Sequence, residues 1–273
     1  MKFISTFTLL LCIVTNTSYA ADERSTFGIT NFAFSSYLGT GFYTSSGQNV
    51  FVVQMPFQHT IIKKTGSNAG WALNLPLTIG LIDFENIEAE NLPELGDVTT
   101  ITFLPGIEYQ YPVTPNWTLI PFADYGFARD LNNTTNVLVL GAGIKSNADF
   151  KHNKNIFTLG NRFLYAREKS GSADNDSDYS LIETGLNYRI TSNYKANDVP
   201  PHINLYYINF YYPDNLVFFE QTTNPVRVGI EHEIGFTFSN LPDFLFFEKA
   251  ELGFGIRRGN GVDVYRIVFG SPF

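Results

Sequence analysis

The chain closes on Val262-Asp263-Val264-Tyr265-Arg266-Ile267-Val268-Phe269-Gly270-Ser271-Pro272-Phe273, and this stretch decides the fold. Tyr265, Ile267, Phe269 and Phe273 fall on one face at a period of two. Val264, Arg266, Val268 and Gly270 fall on the other. Such alternation describes a strand with one apolar and one mixed face. A terminal aromatic has little use in a water-facing sheet. It suits a last strand that pairs with the first, so that no edge is left open in a membrane.

The opposite end agrees. Met1-Lys2, the apolar run Phe3 to Val14 and the small-residue spacing Ser18-Tyr19-Ala20 read as a secretory leader over residues 1–20, cut after Ala20. Residues 21–273 then form one barrel domain. Cys12 lies inside the leader, and Leu11 before it is too large for a lipid-attachment site. The mature chain therefore has no cysteine and uses no disulfide. The whole chain carries −8, and loss of Lys2 takes it to −9, a balance that argues against nucleic acid.

No run after residue 20 reaches the roughly 18 apolar residues of a membrane helix. Mean hydropathy is near zero, yet aromatics make up 16%. Strands that are apolar on one face and polar on the other reconcile the two. The third strand shows this best. Trp71, Leu73, Leu75, Leu77, Ile79 and Leu81 share one face, and Ala72, Asn74, Pro76, Thr78 and Gly80 the other. Its length fits the ~9–11 residues needed to cross the hydrocarbon at a tilt. The remaining strands are expected over Phe27–Phe42, Asn49–Ile62, Val98–Tyr111, Trp117–Phe127, Asn136–Lys145, Asn155–Ala166, Tyr179–Ile190, His202–Tyr212, Val226–Phe238 and Glu248–Ile256, with Tyr43 to Gln48 as the first turn. The faces of His202–Tyr212 cannot be assigned, because nearly every residue is apolar or aromatic. With the last strand the count is twelve, an all-β, antiparallel up-and-down transmembrane barrel; merging or splitting two strands makes it ten or fourteen. Under this topology the acidic loop 83–97 and the loop 167–178 face outward. Tyr and Trp near strand ends, Trp71, Tyr109, Tyr111 and Trp117 among them, fit girdles at the headgroups or ordinary strand preference.

The inner phase collects Glu108, Asp124, Lys145, Arg162, Glu183, Arg189, Arg227, Glu231, Glu233, Glu251, Arg257 and Arg266. Charges cost roughly 2–4 kcal/mol on a lipid face, so their agreement with one phase supports the barrel. They either line a polar passage or pair with one another and fill it. His232 falls on the outer phase. No histidine has a serine two residues on, and none of His59, His152, His202 or His232 sits in a metal-ligand spacing. Asp174-Asn175-Asp176-Ser177-Asp178 opens like a calcium loop but has Tyr179 and Gly185 where glycine and glutamate belong. The expectation is a protein that is not an enzyme, with no cofactor and no metal.

Phe103-Leu104-Pro105-Gly106-Ile107-Glu108, the turn Pro112 to Asn116, and Trp117-Thr118-Leu119-Ile120-Pro121-Phe122-Ala123-Asp124-Tyr125-Gly126 resemble the solitary outer-membrane autotransporter-type β-barrel family. The resemblance covers this central hairpin and the layout. It implies a twelve-strand barrel without a secreted passenger. The ending departs from that pattern: Ser271 stands where an apolar residue is usual, and Pro272 removes a ladder donor. The expected location is the cell outer membrane. The expected function is a narrow channel for small solutes or, alternatively, a closed structural or surface-binding barrel whose acidic loops contact envelope lipid or an external partner. Expected partners are outer-membrane lipid and lipopolysaccharide, and the barrel-assembly machinery acting on Tyr265, Ile267, Phe269 and Phe273. The chain is expected to be a monomer.

Overall fold

A computed structural model describes residues 36–45, 48–82, 98–131, 136–170, 177–192, 200–218, 226–239, 251–260 and 262–270. The leader, the acidic loop 83–97 and Phe273 lie outside them. The strands are β1 (Gly41–Ser45), β2 (Gln48–Ile62), β3 (Gly70–Ile82), β4 (Val98–Phe103), β5 (Gly106–Thr114), β6 (Trp117–Asp130), β7 (Asn136–His152), β8 (Asn155–Ser170), β9 (Ser177–Thr191), β10 (His202–Phe218), β11 (Val226–Ser239), β12 (Leu252–Gly259) and β13 (Val262–Phe269). Each pairs antiparallel with its neighbours, and β1 pairs with β13, so the sheet closes. β4 and β5 share one place between β3 and β6, which makes a closed barrel of 12 strands from 13 segments.

Burial departs from that of a water-soluble protein: large apolar side chains are exposed while ionisable groups are buried among apolar ones. Ile234 is 67% exposed and Tyr125 61%, whereas Glu233 between Ile234 and His232 is 0%. On β9, Leu181, Glu183, Gly185 and Asn187 are buried in alternation with exposed Ile182, Thr184 and Leu186. An apolar belt outside and an interior that mixes buried charges with Val, Leu, Ile and Tyr suit hydrocarbon, and closure pairs the backbone groups that lipid cannot satisfy. Trp71 packs on Tyr109 at 4.6 Å with rings tilted by 44°, and Tyr109 stacks on Tyr111 at 6.3 Å, near one rim.

Several boundaries differ from the sequence expectation. The first strand does not run from Phe27 to Phe42: it is Gly41–Ser45, and Tyr43 to Ser45 pair rather than turn. Residues 36–38 form a helical turn inside the barrel, and Gly39, at φ 80, swings the chain from the interior to the wall. The expected fourth strand is broken at Leu104-Pro105, because Pro105 has no N–H to donate. Leu104 N donates to Pro76 O at 3.2 Å and Tyr125 N to Pro105 O at 2.9 Å, which carries the sheet across the break. β7 runs on to His152 and leaves a two-residue turn in which Asn153 takes φ 54. β10 extends to Phe218, and β12 runs Leu252–Gly259, past the expected end at Ile256, while residues 248–250 of the expected strand lie outside the described residues. On β10 the unassigned faces resolve: Asn204, Tyr206, Ile208, Phe210 and Tyr212 point inward.

Candidate functional site

The inward phase of β10 to β13 assembles a buried ion cluster. Glu231 and Glu233 come from β11, Arg257 from β12 and Arg266 from β13; the neighbouring strands set them side by side. Arg257 Nε donates to Glu233 Oε2 at 2.9 Å, and its Nη1 lies 3.6 Å from Glu231 Oε2. Arg266 Nη1 reaches both Glu233 oxygens, at 3.0 and 2.9 Å. Tyr206 donates to Glu233 and Tyr212 to Glu231, each at 2.9 Å. The Arg257 guanidinium lies 3.8 Å over the Phe210 ring. Glu231 and Arg257 are each 2% exposed. Ions so far from water cost several kcal/mol each to desolvate, and only near-complete pairing offsets that. Here two carboxylates meet two guanidiniums, and two phenols take up further carboxylate lone pairs.

A second group lines the opposite wall. Lys145 Nζ lies 2.5 Å from Glu108 and 5.4 Å from the Phe122 ring centre. Arg162 pairs with Glu183. Asp124 on β6 accepts from the Tyr37 hydroxyl at 2.7 Å. That ring belongs to the helical turn inside the barrel, whose Ser36 carbonyl accepts from Gln54 Nε2 at 2.8 Å. Thr40 exchanges hydrogen bonds with the Gln54 backbone at 2.8 and 3.0 Å. Tyr43 donates to Leu38 O at 2.6 Å. Gly141 makes room for Tyr37: a Cβ there would stand 1.8 Å from the Tyr37 hydroxyl.

A third, smaller group sits toward the rim where β10 begins. Arg189 Nε donates to Asn204 Oδ1 at 3.0 Å, and Asn204 Nδ2 lies 3.0 Å from Glu251. Thr237 donates to Glu251 at 2.6 Å. Of the residues expected inside, Arg227 is the one placed elsewhere. It is exposed, because the alternation breaks between Val228 and Glu231, opposite a register shift in β10 between Tyr211 and Leu216. Tyr265, Ile267 and Phe269 face outward.

Tyr206, Tyr212 and Asn204 escaped the sequence reading, since their strand carried no usable alternation. Glu168, 3% exposed, shares the phase of Arg162 and was legible by counting. Tyr37 had no signal, because its partner is 87 positions away.

No family model matches the sequence, and no curated protein matches it. Among solved structures the chain is similar to the β domain of the Bordetella autotransporter BrkA: 9% identity, 84% of this chain and 93% of that chain covered, TM-score 0.49. A score of this size adds nothing to the strand pairing, which establishes the barrel by itself.

Proposed function

We propose that the chain is an outer-membrane β-barrel, delivered by a cleaved leader, whose interior is closed and whose work is done at its surface. The observation that carries this reading is the buried cluster of Glu231, Glu233, Arg257 and Arg266, with the Tyr37 turn anchored against the opposite wall. Water-filled conduction needs a continuous hydrated path, and desolvated paired charges together with an inward-folded turn favour a filled interior over such a path. The channel loses ground to the structural or surface-binding alternative for that reason. The barrel needs no catalyst or cofactor in this role. Its surface partners are envelope lipid and lipopolysaccharide, and the assembly machinery takes hold of the C-terminal strand of a single copy.

The test is planar-bilayer conductance of the refolded chain Ala21 to Phe273. The closed reading expects silence from protein shown to be folded. Discrete, reproducible steps restore the channel, and charge reversal at Glu231 should then change its ion selectivity.

A further inference from the structure

A line of polar side chains crosses the outward, apolar face of the barrel. Followed through the register, Asp263 stands opposite Arg258, Arg258 opposite His232, His232 opposite Asn209, Asn209 opposite Thr184, Thr184 opposite Asn161, and Asn161 opposite Ser146. All belong to the outward phase, since the residues beside them, Arg257, Glu231, Glu183 and Arg162 among them, point in. The rows on either side are aliphatic or aromatic: Phe163, Ile182, Tyr211 and Ile230 flank one side, and Leu186, Tyr207, Ile234 and Ile256 the other.

Some members bond to each other and some to side chains beside the line. Arg258 Nε lies 3.4 Å from Asp263 Oδ1. His232 Nδ1 lies 2.7 Å from the Tyr207 hydroxyl and 3.3 Å from Asn209 Nδ2. Thr184 donates to Asn161 at 3.1 Å, and Trp117 Nε1 to Ser146 at 2.9 Å.

The line runs obliquely from one rim across most of the belt toward the other. Asp263 is the second residue of β13, and Leu119, opposite Ser146, is the third of β6; these two strands start at opposite rims. With strands ~4.8 Å apart and tilted ~40°, six steps from β13 to β7 descend roughly 19 Å of the ~25 Å apolar belt.

The bonds made by the line leave donors and acceptors of the amide, hydroxyl and guanidinium groups over, and against hydrocarbon that remaining capacity favours a further polar partner. A second copy inserted the same way cannot supply it: two oblique lines brought face to face cross, and meet only near the middle. A lipid headgroup can follow the whole line. At the rim the Arg258 and Asp263 side chains are 71% and 62% exposed, a cation beside an anion. That pair complements the phosphate and ammonium of a zwitterionic phospholipid. We propose that this line is a track along which zwitterionic phospholipid headgroups pass between the leaflets while their acyl chains stay in the hydrocarbon. The proposal rests on the membrane-barrel reading and is independent of whether the interior conducts.

The test refolds Ala21 to Phe273 into phosphatidylcholine–phosphatidylethanolamine vesicles carrying a trace of phosphatidylcholine with a dithionite-reducible fluorophore on a short acyl chain, which keeps the headgroup zwitterionic, then adds dithionite outside. An entrapped soluble dye reports any leak. Protein-free vesicles lose the outer-leaflet signal alone; vesicles with the barrel should lose nearly all of it while the entrapped dye survives. The triple variant Asn161→Leu, Thr184→Val, Asn209→Leu makes the lipid face more apolar and should fold, as unheated gel mobility will show. Loss of a hydrogen bond of ~1–1.5 kcal/mol mid-track should slow transfer roughly tenfold. Loss of only the outer-leaflet signal by the wild type, or equal rates in the triple variant, overturns the track. Cross-linking of Thr184→Cys copies across a shared contact, with no lipid transfer, would reassign the line to self-association. Absence of a heat-dependent mobility shift in the wild type removes the membrane-barrel reading itself, a failure distinct from the others.

Discussion

The Tyr37 hydroxyl donates a 2.7 Å hydrogen bond to Asp124 Oδ2 across the interior, joining the turn that precedes β1 to the wall at β6. Hydrogen bonds to charged groups contribute about 1.5–3 kcal/mol. Tyr37→Phe should therefore lower the stability of the detergent-folded barrel by about 1.5 kcal/mol, read as a lower urea midpoint with unchanged slope. An unchanged midpoint would mean that the contact contributes nothing.

Gly141 and Tyr37 should be coupled. The ring is held from behind by the Ser36–Gln54 bond, so a methyl 1.8 Å from the hydroxyl displaces it. Gly141→Ala should destabilise the wild type and do little in a Tyr37→Ala background. The cycle should return a coupling of about 0.5–3 kcal/mol. Additive effects would show that the turn does not occupy this seat in solution.

Arg257→Met should be the most damaging single change in the interior. It strips Glu231 and Glu233 of a shared cation while leaving both carboxylates buried. Removing one partner of a buried pair costs about 3–5 kcal/mol. The loss should appear as unfolding at lower urea and a smaller folded band on unheated gels. Replacing Arg258, exposed on the outer face, should leave both measurements nearly unchanged.

A closed barrel resists detergent until heated, so unheated and boiled samples should run at different mobility. Deleting Phe273 should lower the amount recovered in the outer membrane, because the proposed assembly contact uses the terminal aromatics. A yield equal to wild type would remove Phe273 from that contact.

The sequence by itself determined the barrel and the phase of nearly every charge, and made twelve the expected count with ten and fourteen left open; strand pairing decided it. It could do so because strand periodicity is local: one residue off register sends a glutamate into lipid, so the pattern along β6, β9 and β13 is written in each strand. The break at Pro105 was also local in cause, although its effect, two segments sharing one place, needed the neighbours β3 and β6 to appear. What only the tertiary structure decided depends on residues far apart in the chain. Closure sets Glu233 against both Arg257 and Arg266, brings Tyr37 to Asp124, and lines up Asn161, Thr184, Asn209 and His232 across four strands. None of these follows from spacing, because the stagger between strands, not the order of residues, fixes which side chains share a height in the wall.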